Sequence, residues 1–272
     1  MNRLQALIIT SHPGPSLAIT ALTTLLAAQA APHGIGPVLT APSLLAQQLS
    51  IGWSNDACDA ARDTAAGRAD KPIARGDIGV RAVWTAAGIA AAAGLAMAFA
   101  IGPRTGVLFA LMAVLGWAYN LGLKSSLTSG ALYLLGFGLL PAYAASTLPG
   151  EPAPHWPITV AAALLGLGAH FANVLPDLAA DRAAGVVGLP QRLAAWRGPG
   201  AVRAAALILL LAASVVLLVG TTRRWVAIPA VVAALLLAVA SMRGTGRVPF
   251  LAAIGIAAVD VVLFAAGGEK LA

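Results

Sequence analysis

Apolar stretches of about 16–22 residues, rich in Leu and Ala, follow one another along nearly the whole chain, divided by short Gly-, Pro- and charge-bearing segments. As a helix, each is long enough to cross a hydrocarbon core of roughly 30 Å. Lipid offers the backbone no hydrogen-bond partner, so a spanning segment is either a helix or a strand of a closed barrel. Barrel strands alternate apolar and polar positions, and these stretches do not. A composition of 59% hydrophobic and 10% charged residues, with a mean hydropathy of +0.85, lies outside the range of soluble globular domains. The sequence therefore predicts an all-α integral membrane protein, a single polytopic domain over residues 1–272. No cleavable signal peptide is expected, because Met1–Gly14 is short, weakly charged and without a clear apolar core or cleavage site.

Nine helices are predicted, at 15–31, 36–54, 80–101, 106–122, 129–148, 157–175, 201–219, 225–242 and 248–266. With the N-terminus in the cytoplasm, 13 Lys and Arg residues face that side and 4 (Arg104, Arg223, Arg224 and Lys270) face the other. This is a positive-inside split. It predicts a protein of the cell membrane whose N-terminus and motif loops, about residues 53–79 after the second helix and 173–200 after the sixth, are cytoplasmic. The net charge of +7 does not indicate nucleic acid, since the basic residues stand singly or in pairs in loops without interleaved aromatics. The single cysteine, Cys58, excludes an internal disulfide and reads as a small packing residue.

Acidic residues are scarce, and their placement is informative. Of the ten Asp and Glu, seven (Asp56, Asp59, Asp63, Asp70, Asp77, Asp177 and Asp181) lie in or just after two segments with one spacing. These are Asn55–Asp59–Asp63 and Asn173–Asp177–Asp181, both N-x-x-x-D-x-x-x-D and 118 residues apart at each position. Positions i, i+4 and i+8 share one stripe of a helix. Three such oxygen-bearing groups on one face repel each other unless a cation lies among them. Oxygen-only donors favour a hard ion, and Mg²⁺ suits a site completed by water and phosphate. The neighbouring Arg62, Arg68, Lys71, Lys124 and Arg182 fit an anion bridging the metals, for which a diphosphate meets both needs.

On these residues the chain resembles the UbiA superfamily of intramembrane prenyltransferases. Asn55-Asp56-x-x-Asp59-x-x-x-Asp63, with Arg68, Lys71-Pro72 and Gly76, is similar to that family's first motif. Asn173-Val-Leu-Pro-Asp177-Leu-Ala-Ala-Asp181-Arg182-Ala-Ala-Gly185, ending in Leu189-Pro190, is similar to its second. Tyr119 and Lys124 match the Tyr…Leu-Lys element between them. Lys71-Pro72 stands where many members have Arg-Pro. The resemblance implies nine transmembrane helices in a bundle, with a central lipid-accessible cavity and a cytoplasmic-side metal site. It implies that Asn55, Asp59, Asp63, Asn173, Asp177 and Asp181 hold Mg²⁺ on a prenyl diphosphate, with Asp56 in support. Arg68, Lys71, Tyr119, Lys124 and Arg182 would contact the diphosphate, and Asp59, Asp63, Asp177, Asp181 and Lys124 would carry the chemistry. The prenyl group would pass to an aromatic or other lipophilic acceptor.

Two other functions compete: a terpene cyclase using the same metal site without an acceptor, and a divalent-cation transporter. Transport needs acidic residues along a path, whereas only Asp260 lies at membrane depth. Asp260 is expected to pair with a neighbouring helix or else to polarise an acceptor. His170 is expected to be a hydrogen-bonded packing residue, with acceptor orientation as the alternative. His12, in Ser11-His-Pro-Gly-Pro, is expected to mark the break before the first span. Pro176 is expected to kink the sixth helix and free a carbonyl near the metal.

Overall fold

The structure is a computed structural model that describes residues 1–28, 35–221, 223–244 and 248–267. The last residues of the first predicted helix (29–31), Arg247 and Lys270 lie outside them. Among the described residues the regular structure is helical, with no strand. The chain forms two compact units, Met1–Leu121 with Ser146–Pro152, and Gly122–Ala145 with Ala153–Ala272.

In the first unit the order is α1 (Arg3–Thr10), α2 (Pro13–Ala28), α3 (Ile35–Ala65), α4 (Val80–Ile101) and α5 (Pro103–Asn120). The short α1 is specified by a capping box: Asn2 accepts from the Gln5 amide, and the Gln5 side chain accepts from the Asn2 amide. Ala6 of α1 packs with Ala57, Ile78 and Val83, flanked by Trp53 and Trp84. Polar side chains tie the apolar helices together. Ser43 of α3 donates to the Gly94 carbonyl, and the Gln47 amide donates to the Phe109 carbonyl. At Gly52 the Ser11 carbonyl oxygen lies 2.3 Å from where a Cβ would be, so the turn after α1 crosses α3 in van der Waals contact.

The second unit opens with a 3₁₀ turn, Leu123–Ser125. There follow α6 (Ser129–Gly138), α7 (Leu140–Ser146), α8 (Trp156–Val174), a 3₁₀ turn (Leu175–Asp177), α9 (Leu178–Ala183) and α10 (Leu189–Arg197). The unit closes with α11 (Pro199–Gly220), α12 (Arg224–Arg243) and α13 (Val248–Gly267). Proline stands in the first turn of α5, α8, α10 and α11, where its missing N–H costs nothing. Phe171, Val202, Leu207, Leu210, Ala238 and Ile256 form the core of this unit.

Among the described residues five helical stretches, Val80–Ile101, Ser129–Ser146 (α6 with α7), Trp156–Ala183 (α8 through α9), Pro199–Gly220 and Trp225–Arg243, are long and apolar enough to cross a membrane. Two shorter apolar helices are Pro13–Ala28 and Val248–Asp260. Large apolar side chains such as Ile89, Val114, Ile208, Val219 and Leu236 lie on the outside, as lipid contact requires.

Three expectations are corrected. The fifth predicted helix is two, α6 and α7, separated at Leu139 and followed by Pro141 in the first turn of α7. The first motif segment is not a loop from residue 53. It stays helical to Ala65, with Asn55 and Asp56 bonded to Asn120, His12 and Lys71 and the Ser54 hydroxyl donating to the Ile51 carbonyl of its own helix, and only 66–79 form the connection. The second motif does not lie on one continuous α-helix. Pro176 has no amide to donate, and the backbone tightens into the 3₁₀ turn Leu175–Asp177 between α8 and α9.

Candidate active site

The last turns of α3 present Asn55, Asp59 and Asp63 on one face. Asn55 is set by a brace from α5: its amide nitrogen donates to Asn120 Oδ1 at 3.0 Å, which turns its own oxygen the other way. Asn120 in turn donates to the Ile51 carbonyl and to Ser54 Oγ, both at 2.8 Å. Arg62 lies between the carboxylates, Nη2 to Asp59 Oδ2 at 2.7 Å and Nε to Asp63 Oδ1 at 3.7 Å. The stripe is therefore charge-compensated within its own helix, unlike the bare repelling row expected from spacing. Burial raises Asp63 above the ordinary carboxylate value, with the charges of Lys71 and Arg62 opposing.

Asp56 lies off the stripe and is 3% exposed. Its Oδ1 accepts from Lys71 Nζ at 2.7 Å and from His12 Nε2 at 2.8 Å. Burial pushes this carboxyl up, but the hydrogen bonds and charges of His12 and Lys71 outweigh it and hold it below its ordinary value. Arg68 makes a two-pronged pair with Asp70 in the 66–79 connection, and Arg75 pairs with Asp77. Tyr119 stands half-buried in the last turn of α5.

In the second unit, Asn173 in the last turn of α8 and Asp177 at the end of the 3₁₀ turn are exposed. Asp181 of α9 is half-buried and accepts from Gln191 Nε2 at 2.8 Å. Arg182 beside it is exposed. Lys124 lies half-buried in the first 3₁₀ turn, whose backbone presses on the start of α10: a Cβ at Gly188 would be 2.4 Å from the Lys124 carbonyl oxygen. Ser129 fastens the same region, accepting from the Leu189 amide at 3.0 Å and lying 3.2 Å from His170 Nε2. Tyr133 stacks on His170 with ring centroids 4.6 Å apart. His170 is thus the hydrogen-bonded packing residue expected. Asp260 of α13 is buried, and neither of its carboxylate oxygens meets a hydrogen-bond partner among the described residues, so the expected pairing with a neighbouring helix is not found.

Among the described residues no three His, Cys, Asp or Glu side chains gather as a metal cluster. The donor set nonetheless fits a hard cation. Asn55, Asp59 and Asp63 offer oxygens on one face, and Arg62 already meets two of these groups as a cation. Spacing did not reveal Asn120, Gln191, Ser129 or the role of His12. Asn120 had a signal, since it lies inside the Tyr119…Lys124 element.

Residues 16–259 match the sequence model of the UbiA prenyltransferase family. Among solved structures, a UbiA homologue from Archaeoglobus fulgidus bound to GPP and Mg²⁺ is similar at 16% identity and a TM-score of 0.74, over 95% of this chain and 97% of that one. A digeranylgeranylglyceryl phosphate synthase structure is similar at 13% identity and a TM-score of 0.71, over 98% of this chain and 99% of that one. An apo UbiA homologue from Aeropyrum pernix K1 is similar at 18% identity and a TM-score of 0.70, over 96% and 99%. At these identities the likeness is one of fold. No curated protein matches the chain.

Proposed function

The chain belongs to the UbiA prenyltransferase family, and from that membership we propose that it is a Mg²⁺-dependent intramembrane enzyme transferring an isoprenyl group from a prenyl diphosphate to an aromatic or other lipophilic acceptor. The matched region runs through both compact units, which supports one catalytic domain over residues 1–272. The observation that carries the chemistry is the α3 stripe of Asn55, Asp59 and Asp63, flanked in the same unit by Arg62, Arg68 and Lys71. Oxygen donors and cations set side by side are what a metal-bound diphosphate requires. Two of the similar structures carry GPP or DMAPP with Mg²⁺, in support of the same ligand class here.

In this reading Asn55, Asp59 and Asp63, with Asn173, Asp177 and Asp181, hold Mg²⁺, and Arg68, Lys71, Tyr119, Lys124 and Arg182 contact the diphosphate. Bound Mg²⁺ supplies neutralisation of the charge that develops on the departing diphosphate. Asp59, Asp63, Asp177 and Asp181 fix the position of that charge, and Lys124 donates hydrogen bonds to the leaving oxygens. The C1–O bond breaks with its electron pair going to diphosphate, the acceptor's electron pair forms the new bond to C1, and the acceptor loses a proton. The protein sits in the cell membrane as nine spans around a lipid-accessible cavity for the tail, with the N-terminus and both motifs cytoplasmic.

The test uses purified protein with labelled geranyl, farnesyl and geranylgeranyl diphosphates, with and without Mg²⁺, across a panel of acceptors. Mg²⁺-dependent diphosphate release that requires an acceptor supports transfer. Release without acceptor, yielding a cyclic product, would make the protein a cyclase. No release from folded protein would remove the reading.

A further inference from the structure

Two donors meet on one buried oxygen beside the first motif. Lys71 Nζ, 2.7 Å from Asp56 Oδ1, comes from the connection after α3. His12 Nε2, 2.8 Å from the same atom, comes from the turn between α1 and α2. Asp56 is 3% exposed, whereas the Lys71 side chain is 19% exposed and the His12 side chain 41%. The carboxylate is therefore fixed and its two partners reach it from wetter ground.

The approach of His12 is built into the backbone. His12 adopts φ 52, the left-handed region that few side chains other than Asn, Asp and His visit readily. The preceding residue, Ser11, is held against α3 by its carbonyl over Gly52, where a Cβ would lie 2.3 Å away. At the next residue of α3, the Trp53 indole donates to the Leu7 carbonyl of α1 at 2.8 Å. Three separate contacts thus seat the turn after α1 on the helix that carries Asn55, Asp59 and Asp63, and His12 is the one that ends at a charge.

Lys71 has two competing uses. Its charge also acts on Asp63, the last carboxylate of the α3 stripe. A divalent cation held on that stripe would repel Lys71, and a diphosphate would attract it. Were Lys71 the only partner of Asp56, its departure would leave a buried carboxylate uncompensated, which is strongly unfavourable. With His12 bonded to the same oxygen, the carboxylate stays satisfied after Lys71 leaves.

We propose that His12 is a positioning residue for diphosphate binding: it keeps Asp56 hydrogen-bonded while Lys71 moves from Asp56 to the diphosphate. This rests on the reading of the first motif as a metal–diphosphate site, and it adds a device from outside both motifs.

The test is calorimetric binding of inorganic diphosphate with Mg²⁺ to the full-length protein in detergent, which needs no acceptor and no turnover. Wild type is compared with H12A, H12Q, K71M and the H12A/K71M double variant, each checked for a single folded species by gel filtration. K71M should weaken binding roughly tenfold, as loss of one charged hydrogen bond does. H12A should weaken it several-fold with Lys71 present, and should add nothing in the K71M background. H12Q, whose amide nitrogen reaches the place of Nε2, should restore most of the affinity. If H12A binds as tightly as wild type while K71M binds weakly, His12 does not serve Lys71 and the inference fails while the site stands. An H12A effect of equal size in the K71M background also overturns it, since His12 then acts on the fold alone. If wild type does not bind, or K71M binds as wild type does, the diphosphate reading of Lys71 falls and the inference falls with it.

Discussion

Arg68 and Asp70 face each other as a fork, Nε to Oδ1 and Nη2 to Oδ2, each at 2.8 Å. The hydrogen bond from Arg68 is the main cause that brings the Asp70 carboxyl down from 3.8 to about 2. A folded-state value below the ordinary one means the pair adds stability that is complete above the ordinary value. That contribution is lost as pH falls toward about 2. Carboxyl-carbon NMR titration should find Asp70 still ionised at pH 3, and R68Q should return it toward its ordinary value. An unshifted Asp70 in wild type would show that the fork does not persist in solution.

The motif aspartates carry a separate prediction. D59N keeps the shape of the side chain but removes a charged oxygen donor from the α3 stripe, and D177N does the same in the second unit. Each should lower Mg²⁺-dependent diphosphate release by about 10²–10³-fold, with the thermal midpoint nearly unchanged. Stripping divalent ions with EDTA should abolish release, and added Mg²⁺ should restore it. Full activity in the double variant D59N/D177N would sink the metal reading.

Gly188 tests the position of Lys124. An alanine there places Cβ 2.4 Å from the Lys124 carbonyl oxygen, a backbone atom with little freedom to retreat. G188A should cost about 1–3 kcal/mol of stability and displace the turn that bears Lys124. The expected readout is a lowered thermal midpoint together with a raised KM for prenyl diphosphate. A fall in stability with unchanged KM would detach Lys124 from the diphosphate.

Ser129 should behave differently. S129A deprives the Leu189 amide of its acceptor and His170 Nε2 of its partner. The loss of a buried partner should cost about 1–3 kcal/mol, read as a lower thermal midpoint in detergent. The pH profile of diphosphate release should stay as in wild type, because His170 is here a packing group. A shifted profile would instead place His170 in the chemistry.

Much of this was legible in the sequence because lipid leaves few options. Length and apolarity locate helices where α3, α4, α8, α11 and α12 are found, and the ends agree to within a few residues except where α3 runs on to Ala65. The carboxylate stripe was legible because a period of four is a local property of one helix. What was hidden depends on partners distant in sequence. Nothing near Asp56 announces that His12, 44 residues earlier, ends on its Oδ1. Nor does spacing reveal that Asn120 sets the amide of Asn55. The tightening at Pro176 was half legible: proline forecasts a break, but not that the backbone answers with a 3₁₀ turn rather than a kinked α-helix.

The unbroken course of α3 has a mechanical consequence. From Pro42, where the helix lacks one backbone donor, to Asp59 the rod measures about 26 Å at 1.5 Å per residue. A pivot of about 5° at Pro42 would sweep Asp59 sideways by about 2 Å, which is the length of a Mg²⁺–oxygen bond. Ser43 and Gln47, anchored to the carbonyls of Gly94 and Phe109 just beyond that point, act as the clamp of a lever whose long arm ends in the carboxylates. A small change of angle near Pro42 therefore becomes a displacement of the carboxylates on the scale of a bond.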